Sequence, residues 1–266
     1  MPPAQPPAQP TDQPPATATS SKDEAAPVLP PGFAVAWGLR QRPAKGPRPG
    51  LSVSQIVEAA VAVADADGFA AVSMGRVAAE LGCATMALYR HVTNKDELVA
   101  LMRDAAFGVA PMPLPGEGWR PALTRWSTTL LAGYREHAWT LDIPLMGIPS
   151  MPNELAWMEA ELATLRETGL GPAERMSILL LVSGYVRNTA AMEQQIGAAY
   201  RAASVNSEQA MAGHAALLRE LLDPQQFPET AAILATGVLD HADHPDDEFR
   251  FGLNRLLDGV EVLIGE

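Results

Sequence analysis

From Leu51 onward, apolar residues recur at helical spacing and almost never alternate as a strand requires. Ser52-Val53-Ser54-Gln55 has the S-x-x-Q spacing of a capping box, in which a side chain at each end satisfies a backbone N–H of the other. Behind it, Val53, Ile56, Val57, Ala60 and Ala64 fall on one face, which predicts a helix ending at Asp67-Gly68. Ser73 caps a shorter helix with Val77, Ala78 and Leu81 inward, and Gly82 stops it. Ala84 to His91 then leaves room for about two helical turns. Asn94-Lys95-Asp96-Glu97 opens another helix, with Leu98, Leu101, Met102 and Ala105 inward. After a Pro/Gly break at 111–118, helical windows follow at 119–137, 152–168, 172–203, 207–222, 228–238 and 246–264. Most open near Pro, Ser, Asn or Asp, as helix punctuation predicts. The fold class is therefore all-α.

Before Leu51 the pattern is different. Residues 2–31 hold ten of the 24 prolines with few apolar side chains, which predicts a disordered Pro-rich tail over 1–32. A polyproline ligand for a partner domain is the sharper alternative. Phe33, Val35 and Trp37 form an apolar patch suited to docking on the folded body. Arg40, Arg42, Lys45 and Arg48 follow with no acid among them, so 33–50 reads as a basic arm.

The chain has 266 residues, 47% of them apolar, enough for a sizeable core. No apolar stretch reaches the roughly 18 residues that suggest a membrane span, and the first residues lack the basic and apolar regions of a secretory signal. A soluble, cytoplasmic protein without membrane partner is expected. Cys83 is alone, which excludes an internal disulfide and any multi-cysteine metal site. Net charge is −12, but unevenly spread: residues 1–108 hold nine basic against ten acidic side chains, and 109–266 hold ten against 21. Such asymmetry is compatible with nucleic-acid binding at the amino end only.

Residues 73–92 place two short helices around the Gly82 turn, as a helix-turn-helix does. With Leu88 inward, Thr85, Met86, Tyr89, Arg90 and His91 remain for the outer face and its flanks. Tyr, Arg and His on so short a helix suit phosphates and base edges.

Leu81-Gly82, five residues, then Leu88-Tyr89-Arg90-His91-Val92-Thr93-Asn94-Lys95 resembles the DNA-binding domain of TetR-family bacterial repressors. The run L-Y-x-H-V-x-N-K is similar to the tetracycline-repressor branch. The strong motif covers 52–107. A weaker one, Phe249-x-Phe251-Gly252-Leu253-x-Arg255-Leu256-Leu257-Asp258-Gly259, resembles the last helix of that branch's regulatory domain. The resemblance implies a three-helix DNA-binding domain over 51–98 and a larger helical ligand-binding and dimerisation domain over 99–266. It implies phosphate contacts from Tyr89, His91, Lys95 and the Ser73 end of its helix. Thr85, Met86 and Arg90 are the base readers, Arg90 by the O6 and N7 atoms of guanine and Met86 by a thymine methyl. Gly75 departs from the pattern, standing where the branch carries a base-reading Arg, and Arg76 lies about 100° further round the helix. The basic arm is either a minor-groove contact or a solvated linker.

Two short helices read few base pairs, so useful specificity needs two copies on half-sites roughly 34–36 Å apart or a multiple. A homodimer on a palindromic double-stranded operator follows. Its interface is expected on the helix through Ile178–Tyr200 and on the last helix, with Phe249, Leu253, Leu256, Leu257, Val260 and Leu263 in one stripe. The alternative is that the stripe packs within its own subunit. Effector-binding candidates are Trp126, Trp139, Met146, Met151, Trp157 and Met158, with Tyr185, Asn188, Met192 and Glu193 further on, a set that suits a flat or flexible apolar molecule. Leu145-Met146-Gly147-Ile148 lacks the His and Thr with which tetracycline repressors hold a drug–magnesium complex. Asp240-His241-x-Asp243-His244-x-Asp246-Asp247-Glu248 has the residue types of a metal site, but Asp246 as a helix N-cap with acids behind it explains most of it. Neither metal nor cofactor is expected, and no catalytic constellation stands out. The reading is a ligand-responsive repressor. The rival is a helical small-molecule-binding protein or enzyme whose head binds a protein.

Overall fold

The computed structural model describes residues 29, 31–39, 51–145, 147–242 and 244–265. Most of the Pro-rich tail, the basic residues of the arm, and Met146 lie outside the described residues. Among the described residues there are helices and no strands.

The head is built by α2 (Val53–Asp67), a 3-10 turn (Phe69–Ala71), α3 (Met74–Glu80) and α4 (Thr85–Leu88). Both halves of the Ser52/Gln55 capping box form. Ile56, Val57, Ala60, Val63 and Ala64 of α2 are buried against Val77, Ala78 and Leu88. α5 (Lys95–Phe107) starts on the Asn94 cap and buries Leu98, Leu101 and Met102 in the same core. Ala105 is exposed, and Asp104 takes the inward position instead. The short helix α1 (Phe33–Ala36) docks as expected of an apolar patch: Val35 and Ala36 pack on the head's core, and Trp37 Nε1 donates to the Ser150 carbonyl at 2.9 Å.

The body comprises α6 (Trp119–Glu136), a 3-10 segment (Ala138–Asp142), α7 (Pro152–Thr164), α8 (Pro172–Ala202), α9 (Ser207–Leu221), α10 (Pro228–Ala235) and α11 (Pro245–Ile264). α6, α7, α8 and α11 enclose a second apolar cluster around Leu123, Trp126, Trp157, Val182 and Phe249. Phe249, Leu253, Leu257 and Val260 are buried inside their own subunit. The stripe assigned to a dimer contact is thus intramolecular core, because α11 needs that face to cover α8. Tyr185 lies so close to α11 that a Cβ at position 252 would collide with its hydroxyl, which explains Gly252. What α8 and α11 leave outward includes Leu180, Leu181, Met192, Phe251 and Val262, all exposed.

The two clusters are not separate along the chain. Trp139, Ile143 and Met151, from the segment between α6 and α7, join the head's core. α5 spans both, with Leu98 in the first and Phe107 against the second. Asp104 accepts from the backbone N–H groups of Asn153 and Glu154 at 2.9 and 3.1 Å, capping α7 from α5. Its own burial pushes that carboxyl up, against the pull of those two N–H groups. Arg103 Nε adds a 2.6 Å bond to Glu154.

Candidate nucleic-acid interface and effector cleft

Ser73 caps α3 by accepting from Arg76 N at 3.1 Å. Gly82 sits at φ +62°, a backbone state that costs a side-chain-bearing residue energy, and so lets α3 turn into α4. α4 has four α-helical residues, half of the two turns the sequence allows, and Tyr89–His91 continue as turns. Ala84 supplies no side-chain cap. Leu88 and Val92, both fully buried, anchor this segment in the head's core.

With that face committed, the opposite one is presented to solvent. Met86 is 71% exposed and Tyr89 45%, Arg90 is exposed, and Thr85 and His91 are half-buried beside them. Lys95 begins α5 with its Nζ 5.5 Å above the Phe69 ring, which steadies the ammonium at the head's surface. Exposed Ser73 adds the amino end of α3. Of the seven residues read from sequence, Ser73, Met86, Tyr89, Arg90 and Lys95 are exposed and Thr85 and His91 are half-buried. Arg76 is engaged elsewhere: its guanidinium pairs with Asp67 at 3.2 Å and Glu80 at 2.7 Å.

The body holds a narrow cleft lined by Ala106, Phe107, Leu130, Gly133, Tyr134, His137, Thr140 and Trp157, with free volume of about 20 Å3. That holds little more than a water, so an organic ligand requires it to widen. Its wall is aromatic: Trp157 meets Phe107 and Trp126 edge-on at 6.2 and 5.7 Å, and Phe107 meets Tyr134 at 6.3 Å. Trp157 Nε1 donates to the Phe107 carbonyl at 2.7 Å, and Trp126 Nε1 to the Trp157 carbonyl at 3.1 Å. Burial pushes the Tyr134 phenol up, so it stays protonated.

Of the ten effector candidates, Trp157 lines this cleft and Trp126 backs it. Trp139 and Met151 are in the head's core. Tyr185 stacks on Phe249 and donates to its carbonyl at 3.0 Å. Glu193 is held by Arg135 at 2.8 and 2.9 Å. Asn188 and Met192 are exposed, Met158 is half-buried, and Met146 lies outside the described residues. The sequence reading passed over Phe107, Tyr134 and His137. Leu130, Tyr134 and His137 stand at i, i+4 and i+7, a helical stripe that carried the signal.

One buried acid is anomalous. Glu161 on α7 is 1% exposed, with Oε2 3.2 Å from Ser183 Oγ and Oε1 without a partner among the described residues. Burial pushes its carboxyl up to about 9, so it is neutral at pH 7. The acidic 240–248 stretch disperses: Asp240 pairs with Arg219, His241 with Glu208 and Asp246 with Arg135. His244, not Asp246, is the N-cap of α11. Among the described residues no His/Cys/Asp/Glu group could hold a metal.

A helix-turn-helix head packed on a helical body with its own cleft defines a DNA-binding regulator with a sensor domain. Comparison with known proteins gives the family. Residues 56–102 match the family described as "Bacterial regulatory proteins, tetR family", and residues 112–264 match "Tetracyclin repressor-like, C-terminal domain". The chain is 36% identical over 237 residues to the HTH-type transcriptional repressor DrrR1 of Streptomyces coeruleorubidus, covering 86% of this chain and 84% of that one. It is 22% identical over 219 residues to the class E tetracycline repressor of Escherichia coli, covering 81% and 93%. Among solved structures, ActR of Streptomyces coelicolor in complex with actinorhodin superposes with a TM-score of 0.66 at 28% identity, covering 82% of this chain and 99% of that one. The chain belongs to the TetR family and is a ligand-responsive, DNA-binding transcriptional repressor. Members of this family bind operator DNA and small-molecule effectors and act as dimers.

Proposed function

We propose that two copies of the chain bind a palindromic operator, each head reading one half-site, and that a small, largely apolar effector releases them. The observation that carries the reading is the exposed set Met86, Tyr89, Arg90 and Lys95 opposite buried Leu88 and Val92. Thr85, Met86 and Arg90 face base edges, while Ser73, Tyr89, His91 and Lys95 hold phosphates. The head comprises 51–98 and the body 99–266, with the basic arm at 33–50 and the Pro-rich tail before it. The outward faces of α8 and α11, with Leu180, Leu181 and Phe251 exposed, supply the apolar surface for pairing. The effector enters the aromatic cleft by displacing Phe107, Tyr134 and Trp157; the solved complex of ActR with actinorhodin supports a small organic effector of this kind. Membership of this regulator family supports action in the cytoplasm, by binding rather than catalysis.

Fluorescence anisotropy with fragments of the DNA flanking its own gene, at several salt concentrations, tests this. Sequence-selective binding with a steep negative salt slope is expected, and Lys95→Ala should shallow the slope by about 1. Equal binding to all fragments, or an unchanged slope in that variant, sinks the reading.

A further inference from the structure

A second concavity opens on the flank of the body, where the end of α7 meets the start of α8, apart from the aromatic cleft. It has about 300 Å3 of free volume, the lower end of the size of small-molecule sites. Leu162, Pro172 and Met176 supply apolar wall, and Arg166, Arg175 and Glu159 supply charge. Two cations against one acid make it locally positive in a chain of net charge −12.

The arginines set it apart. Elsewhere in the body, Arg120, Arg125 and Arg135 are each matched to carboxylates at 2.5–2.8 Å. Arg175 Nε is buried with no hydrogen-bond partner among the described residues. A buried N–H on a permanently charged guanidinium is costly to leave unmade. Among the described residues Arg166 pairs with Glu159 at 3.7 Å, both side chains about two-thirds exposed, so the pair is easily exchanged for a better acceptor. Glu174, the next acid along, is already committed, accepting from Gly171 N at 2.7 Å.

We propose that this concavity binds a small organic carboxylate with an apolar body. The carboxylate lies across Arg175 and Arg166, where a planar fork matches its two oxygens, and the apolar part covers Leu162, Pro172 and Met176. This inference stands apart from operator recognition and from the aromatic cleft.

Titration calorimetry of the full chain with 2-naphthoate, and in parallel with neutral 2-naphthamide, tests it. Saturable naphthoate binding is expected, weakened by roughly tenfold or more in Arg175→Met and less in Arg175→Lys, which keeps charge without the fork. The Arg175 Nε–H resonance should shift on addition of naphthoate, and operator affinity of Arg175→Met should match the parent. Equal binding of amide and acid, equal naphthoate binding in Arg175→Met, or no saturable binding of naphthoate overturns the proposal. So does dissociation of the dimer by Arg175→Met in sedimentation, which would give the guanidinium to a second copy of the chain.

Discussion

Asp65 on α2 of the head accepts a 2.7 Å hydrogen bond from the indole N–H of Trp139, which belongs to the segment after α6. The same oxygen lies 2.9 Å from His137 Nδ1. His137 also lines the aromatic cleft, so one carboxylate of the head is bonded to the wall of that cleft. Trp139 is 3% exposed and its ring stacks on Phe69 at 6.3 Å, which fixes the geometry.

Trp139→Phe keeps the stacking and removes the bond. It should cost about 0.5–1.5 kcal/mol in urea unfolding. Operator affinity without effector should stay within about twofold, while more effector is needed for release. Unchanged effector sensitivity in an anisotropy titration would show that the bond carries no signal.

Leu88 and Tyr89 are neighbours with opposite duties. Leu88→Ala empties a fully buried site and should lower stability by about 2–5 kcal/mol. Tyr89→Phe should leave the melting temperature alone and weaken operator binding by about 0.5–1.5 kcal/mol. A Tyr89→Phe variant that melts early yet binds normally would contradict this division.

Glu161 gives the fold a pH dependence. Its folded carboxyl holds its proton up to about 9, whereas the ordinary value is 4.5. Between these values the folded chain binds the extra proton, so this contribution is complete below about 4.5 and declines as pH rises towards 9. Glu161→Gln removes the titration. Relative to the parent, its unfolding free energy should gain about 1–3 kcal/mol between pH 5 and pH 8. Parallel declines in the two proteins over that range would refute the assignment.

Asp104→Ala removes the cap that α5 provides to α7, leaving two N–H groups without their acceptor. A loss of about 1–3 kcal/mol is expected in denaturant unfolding, with faster amide exchange at Asn153 and Glu154. Wild-type exchange there would mean the cap is not needed.

Helix boundaries and the inward-facing side chains of the head were legible because they are local. Ser52, Ser73 and Asn94 each cap the helix their spacing announces, and Leu88 points inward as its periodicity requires. The lining of the aromatic cleft was less so. Trp139 and Met151 look like pocket residues from composition, but which cluster an aromatic joins depends on contacts distant in sequence, here with Asp65 and the head's core. The α11 stripe is similar: periodicity shows that a face is covered, not by which chain. Arg76 shows the same limit at short range, since its pairing with Asp67 and Glu80 depends on how α2 and α3 cross.

α5 carries Lys95 at its start and Phe107 at its end, about 18 Å apart along one unbroken helix. A helix of that length behaves as a rigid rod, and both tips are occupied, one beside the exposed face of α4 and the other in the cleft wall. Tilting the rod by about 6° around one tip carries the other by about 2 Å. Because Leu98, Leu101 and Met102 seat the rod in the head's core, a shift of that size at Lys95 carries the neighbouring helices with it.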